Sequence, residues 1–142
     1  MRKQQHLNRQ HDDQRRGATL VEFALVLPVF LLFTFAAIEF AHLNTLRNTA
    51  NNAAYEAARR VVVPGANVDE ARDEAARILA AVGTREFNVD VNPSEITDTS
   101  DSVTVHVTVP YEKNSLMVPW FTRSLRIQSK ATLKTERYRG IR

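Results

Sequence analysis

Two residues stand out for the chemistry their neighbours impose on them. Glu22 is the single charge in a stretch of 21 residues, 18–38, that reads ATLVEFALVLPVFLLFTFAAI. Gly17 sits at the start of that stretch, directly after Arg15 and Arg16. A carboxylate in a membrane costs about 2.5–3.5 kcal/mol at the bilayer centre and less near the interface. Glu22 is therefore either close enough to the surface to snorkel to water or neutralised by a cation brought to it. The plainest reading of Gly17 is a helix boundary. Other chemistry-bearing residues are sparse. His6, His11, His42 and His106 have no metal-ligand spacing with one another or with carboxylates. The chain has no cysteine, which excludes disulfides, thiol catalysis and thiolate metal sites. It has no glycine-rich phosphate loop, and no Ser or Lys stands in a recognisable nucleophile setting. These absences predict a non-enzymatic protein with no catalytic residue, metal, cofactor or small-molecule substrate.

The element that must position Glu22 is a membrane helix. A hydrocarbon core of about 30 Å needs roughly 20 helical residues, and residues 18–38 are long enough. Pro28 lies in the middle of this run. It removes a backbone donor and clashes with the carbonyl four residues earlier, which predicts a helix kink; a tolerated transmembrane proline is the blander alternative. Charge sets the orientation. The 17 residues before the run carry five Lys/Arg, and residues 39–58 carry one, Arg47. Positive residues stay in the cytoplasm, so the N-terminus is predicted cytoplasmic and the C-terminal part outside. The net charge of +3 belongs to this leader, because residues 18–142 hold 14 basic and 14 acidic side chains. That placement argues against nucleic-acid binding, which wants Lys and Arg clustered on a folded face. A second basic stretch, residues 123–142, is read as a solvated strand face and tail.

Beyond the membrane the helical pattern continues. Ala50, Ala53, Ala54, Ala57 and Ala58 form one stripe, read as packing onto the domain's own sheet in preference to another subunit's helix. Val61, Val62 and Val63 followed by Pro64-Gly65 are the stop signal. A continuous helix over residues 18–63 would be about 69 Å long. Asn67 and Glu70 suggest an N-cap and capping box for a second helix ending at Gly83. Three segments then alternate with period two. Phe87, Val89 and Val91 share a face of the first. Val103, Val105, Val107 and Val109 share a face of the second, opposite Thr104, His106 and Thr108. Leu125, Ile127, Ala131 and Leu133 mark the third, with Ser129 between them. This pattern predicts a small antiparallel sheet with connections over residues 93–101 and 114–121. Trp120-Phe121 is read as a hydrophobic plug in preference to a partner patch.

The junction Arg15-Arg16-Gly17-Ala18-Thr19-Leu20-Val21-Glu22-Phe23 resembles a class III or type IV prepilin leader. The resemblance implies that a prepilin peptidase cuts between Gly17 and Ala18 on the cytoplasmic side, which makes Glu22 the fifth residue of the mature chain. A Gly before the cut leaves the backbone open to a membrane-embedded protease. The cut would create an α-amino group on Ala18. In related pilins such a group on a neighbouring subunit neutralises the carboxylate and favours correct axial register. A narrower resemblance spans residues 17–60. GATLVEFALVLP, then Glu39, then AAYEAARR at residues 53–60 is similar to the TadE-like family of tight-adherence proteins. The family's major pilin is a very short chain, whereas 125 residues would remain here after the cut, so a minor pseudopilin fits better. Many type IV pilins begin with Phe; Ala18 departs from that pattern and puts N-methylation in question.

The expected molecule is α+β: a basic leader over 1–17 whose polar residues 1–16 are expected to be disordered, a transmembrane helix over 18–38, its continuation over 39–63, and a small domain over 64–142 with a short helix and an antiparallel sheet. The resemblance implies a structural or assembly component of a Flp-type pilus in the bacterial inner membrane. Its implied partners are membrane lipid, other pilins and pseudopilins, the inner-membrane assembly platform and the prepilin peptidase. Two alternatives stay open: a plain signal-anchored protein, and a secreted protein cut by signal peptidase after the small-x-small site Thr34-Phe35-Ala36.

Overall fold

The computed structural model of the chain describes residues 2–63, 65–96, 100–116 and 125–135, with side chains from Gly17 onward. It divides into two units, Met1–Ile38 and Glu39–Arg142. A single helix, α1 (Arg2–Val61), contributes to both.

In the first unit α1 is helical well before the apolar run, where sequence suggests an unstructured leader. Residues 1–16 contain no proline and no β-branched residue, and are rich in Gln and Arg. Such residues extend an existing helix without a new nucleation cost. Gly17 is consequently an interior helical residue and not a boundary, at a cost of about 1 kcal/mol relative to alanine. The helix also continues on both sides of Pro28. The Thr34 hydroxyl donates to the Phe30 carbonyl at 2.9 Å, a local bond that suits a helix without polar neighbours.

The second unit is α+β. After α1 come α2 (Val68–Ala81), β1 (Asn88–Asn92), β2 (Ser102–Pro110), the one-turn helix α3 (Tyr111–Asn114) and β3 (Arg126–Lys134). The sheet is antiparallel in the order β1-β2-β3. Its register places Val89 opposite Val107, and Val105 opposite Ala131. Val103, Val105, Val107 and Val109 are all fully buried, as the period-two pattern requires. The alanine stripe of α1 is equally buried and joins the same core as Leu46, Ala71, Ala75, Leu79 and the β2 valines. A face of alanines lets α1 approach its neighbours closely. The stripe therefore packs within its own chain, as expected.

The details of α2 agree in part. Asn67 caps it, its side chain accepting from the Asp69 amide at 3.2 Å. Glu70 does not complete a capping box: its carboxylate meets Arg60 Nε at 3.2 Å, tying α2 to the end of α1. At the other end Gly83 takes a φ of +74°, which a side chain would strain. Gly83 N–H donates to the Ala80 carbonyl and Thr84 N–H to the Leu79 carbonyl, which closes the helix in a Schellman motif. Helix α1 stops at Val61, two residues before the expected end. Strand β3 begins after Leu125, which is exposed. The turn α3 occupies part of an expected loop. Trp120, Phe121, Pro64 and the tail residues 136–142 lie outside the described residues.

Candidate functional site

The first candidate site is the surface of α1 between Gly17 and Ile38. Leu20, Phe23, Leu25, Phe30, Leu32 and Phe33 are each more than 60% exposed. A soluble protein does not leave such a contiguous apolar surface in water. By length and composition Gly17–Val61 can cross a membrane, and none of its most apolar stretch is buried. Glu22 is exposed within this surface, and its carboxylate meets no described residue. Ala18 and Glu22 lie four residues apart, one above the other on one helix face. A new amino group at Ala18 would thus lie one turn from the carboxylate of its own chain, and equally open to a neighbour's. A Cβ at Gly17 would meet nothing within 4 Å, so no packing within the chain requires glycine there. Pro28 is also exposed on this helix, and its ring leaves the Ala24 carbonyl without an i+4 donor.

The second site is a polar clasp at the start of the second unit, which sequence reading missed. Glu39 and His42 lie on α1, and Tyr111 and Asn114 lie 72 residues later on α3. The Tyr111 hydroxyl donates to Glu39 Oε1 at 2.5 Å and approaches the Glu39 carbonyl at 3.3 Å. His42 Nε2 donates to the Asn114 carbonyl at 2.8 Å. The Asn114 side chain is almost fully used. Its Oδ1 accepts from the Arg85 amide at 2.7 Å, and its Nδ2 donates to the carbonyls of Glu86 at 2.9 Å and Pro110 at 2.8 Å. One buried amide thus joins the loop before β1, the end of β2 and, through its own carbonyl, α1. Burial first, and the bond to Glu39 second, push the Tyr111 phenol well above its ordinary range, so it serves as a constant donor. The second Glu39 oxygen is buried without a partner. A signal for half of this clasp was present: Glu39 continues the buried stripe of Leu43, Leu46 and Ala50 at helical spacing.

A groove between the end of α1 and α2 is lined by Glu56, Arg59, Arg60, Glu70, Glu74 and Arg77. Its charges alternate and pair, as in Arg60–Glu70 and the 2.5 Å Arg77–Glu74 contact, so it favours no ligand charge. Among the described residues no three His, Asp or Glu side chains are placed to hold a metal ion.

Comparison with known families matches residues 17–59 to the model described as TadE-like protein. The matched segment begins at Gly17 and covers the apolar run, the α1 half of the clasp and the whole alanine stripe. Curated proteins and solved structures gave no match.

Proposed function

We propose that the chain is a minor pseudopilin of a tight-adherence, Flp-type pilus system, a non-enzymatic component that supports fibre assembly. On this reading a prepilin peptidase removes residues 1–17, and the helix from Ala18 anchors the protein in the bacterial inner membrane with Glu39–Arg142 outside. The TadE-like match over residues 17–59 carries the reading. It is supported by Glu22, the lone charge on an uncovered apolar helix, five residues beyond Gly17. The Ala18 amino group of a neighbouring pilin neutralises Glu22 and sets the axial register of assembly, and other pseudopilins and the membrane platform are the partners.

The test is Glu22→Gln. The substitution keeps shape and removes charge, so membrane insertion should become easier. Partner co-purification and surface adherence should be lost while the protein stays stable and membrane-resident. A buried pair broken on one side costs about 3–5 kcal/mol, reduced here because a terminal amine can lose its proton. Full adherence with unchanged co-purification in Glu22→Gln would reduce Glu22 to an incidental interfacial charge.

One observation favours a secreted protein instead. The second folded unit begins at Glu39, so a signal-peptidase cut after Ala36 would release it complete. Cell fractionation separates the two: the pseudopilin stays with membranes, and the released unit does not.

A further inference from the structure

The second unit has a defined end next to residue 39, and that end is where its exposed apolar side chains gather. Tyr111 and Asn114 are bonded to Glu39 and His42, which places α3 at the first turn of α1 beyond the apolar run. Tyr111 N–H donates to the Leu125 carbonyl at 3.0 Å, which brings the start of β3 to the same level. Of the five large exposed apolar residues among the described residues of this unit, Phe40 (72%), Leu116 (61%) and Leu125 (41%) lie here; the others are Tyr55 and Val63. Phe40, Leu43, Leu125 and Ile127 line one shallow groove.

Depth follows from the covalent chain. Phe40 is two residues past Ile38, or about 3 Å of helical rise. Leu43 is five residues past it, or about 7.5 Å. The headgroup layer on each face of a bilayer is roughly 5–8 Å thick. If residues 18–38 fill the hydrocarbon, the rung from Glu39 to Leu43 falls within the headgroups; Tyr111 and Asn114 of α3 are bonded to that rung, Leu125 is bonded to Tyr111, and Leu116 follows α3 by two residues.

We infer that this end of the outer domain is seated in the membrane interface, with Phe40, Leu116 and Leu125 inserted among the lipid headgroups. The inference rests on the membrane-anchored reading and deepens it by naming lipid as the ligand of a second surface. Aromatic and aliphatic side chains at headgroup depth are the usual composition of such a seat. The clasp gives the seat its rigidity: Glu39, the first residue past the span, is bonded to the same short helix that leads into Leu116. The rival cover for this surface is protein, either residues 117–124, which leave the described chain at Leu116 and return at Leu125, or a second copy.

The absence of cysteine makes single-cysteine labelling specific. Full-length L116C, L32C and K134C, each carrying an environment-sensitive fluorophore, are reconstituted into phosphatidylethanolamine–phosphatidylglycerol vesicles. Nitroxide quenchers are placed at headgroup depth or mid-chain. Leu32 is in the apolar run, and Lys134 lies at the far end of β3, about 26 Å from Arg126 at 3.3 Å per strand residue. L32C should be quenched by the mid-chain nitroxide. L116C should lose about half of its emission to the headgroup nitroxide, and K134C should lose little to either. If L32C is quenched and L116C is not, the seat is wrong while the anchor stands; a blue-shifted but unquenched L116C identifies protein cover and overturns the seat in the same way. Equal quenching of L116C and K134C overturns the placement of the seat at one end. An unquenched L32C removes the anchor and the seat together.

Discussion

Replacing Asn114 with alanine should loosen the outer domain at a single point. The side chain is only 6% exposed. It makes three well-formed bonds, to the Arg85 amide at 2.7 Å, the Glu86 carbonyl at 2.9 Å and the Pro110 carbonyl at 2.8 Å. A fourth contact, from the Glu86 amide at 3.4 Å, is marginal. Each bond of this kind contributes about 1 kcal/mol net, and a stranded buried partner costs about 1–3 kcal/mol. Three losses, with some groups rehydrated at this partly open site, give about 2–4 kcal/mol. A small domain holds about 5–15 kcal/mol in total, so the effect is a large fraction of its stability. Asn114→Asp is the informative second variant. It keeps an acceptor for Arg85 but turns an oxygen toward the Glu86 and Pro110 carbonyls, so it should be no better than alanine. Denaturant titration of the full-length protein in detergent gives the global change, and amide hydrogen exchange at Arg85 and Glu86 gives the local one. A loss below about 1 kcal/mol with unchanged exchange at both amides would refute the assignment of Asn114 as the joint of three elements.

Gly17→Leu should abolish leader removal without impairing insertion, seen as a retained higher mass in the membrane fraction. A Cβ there meets nothing within 4 Å, so the first atom of the new side chain has room, and normal processing would show that glycine is not required. Tyr111 predicts a pH dependence. Its phenol is held above the ordinary value of 10.0, so the folded state keeps a proton that the unfolded chain releases. The stabilising contribution is complete below about pH 10 and declines as pH rises beyond it, by up to about 1.4 kcal/mol per pH unit. Tyr111→Phe should lower stability at neutral pH and flatten that alkaline decline; an unchanged slope would contradict the buried donor.

What could be read from sequence depended on the range of the interaction. The apolar run, the β2 valines and the α1 alanines are local periodicities, and each residue lies on the face its spacing assigns. Asn67 and Gly83 were legible because caps depend on side-chain type and backbone freedom within a few residues. Glu70 shows the limit: a capping box was written in the local sequence, but Arg60, ten residues earlier, took the carboxylate. The clasp was hidden for the same reason. Glu39 shows only its place on the α1 stripe, and Tyr111 shows nothing, until the fold brings together positions 72 residues apart. The leader was misread because its polarity outweighed its helix-forming composition, and a helix already started at residue 18 can be extended at little cost. Glu22 stands out by type as the lone charge of the apolar run, whereas Gly17 and Ala18 were marked as a cut site only by the prepilin resemblance; on α1 all three are exposed.

The mature N-terminus tests the account most directly. Protein extracted from membranes of cells that carry the peptidase should begin at Ala18, with the mass of the chain lacking residues 1–17. A terminus at Ala37 would make Glu39–Arg142 a released secreted domain, and an intact Met1 in the membrane fraction would make the chain an unprocessed anchor; either result contradicts a prepilin-type leader.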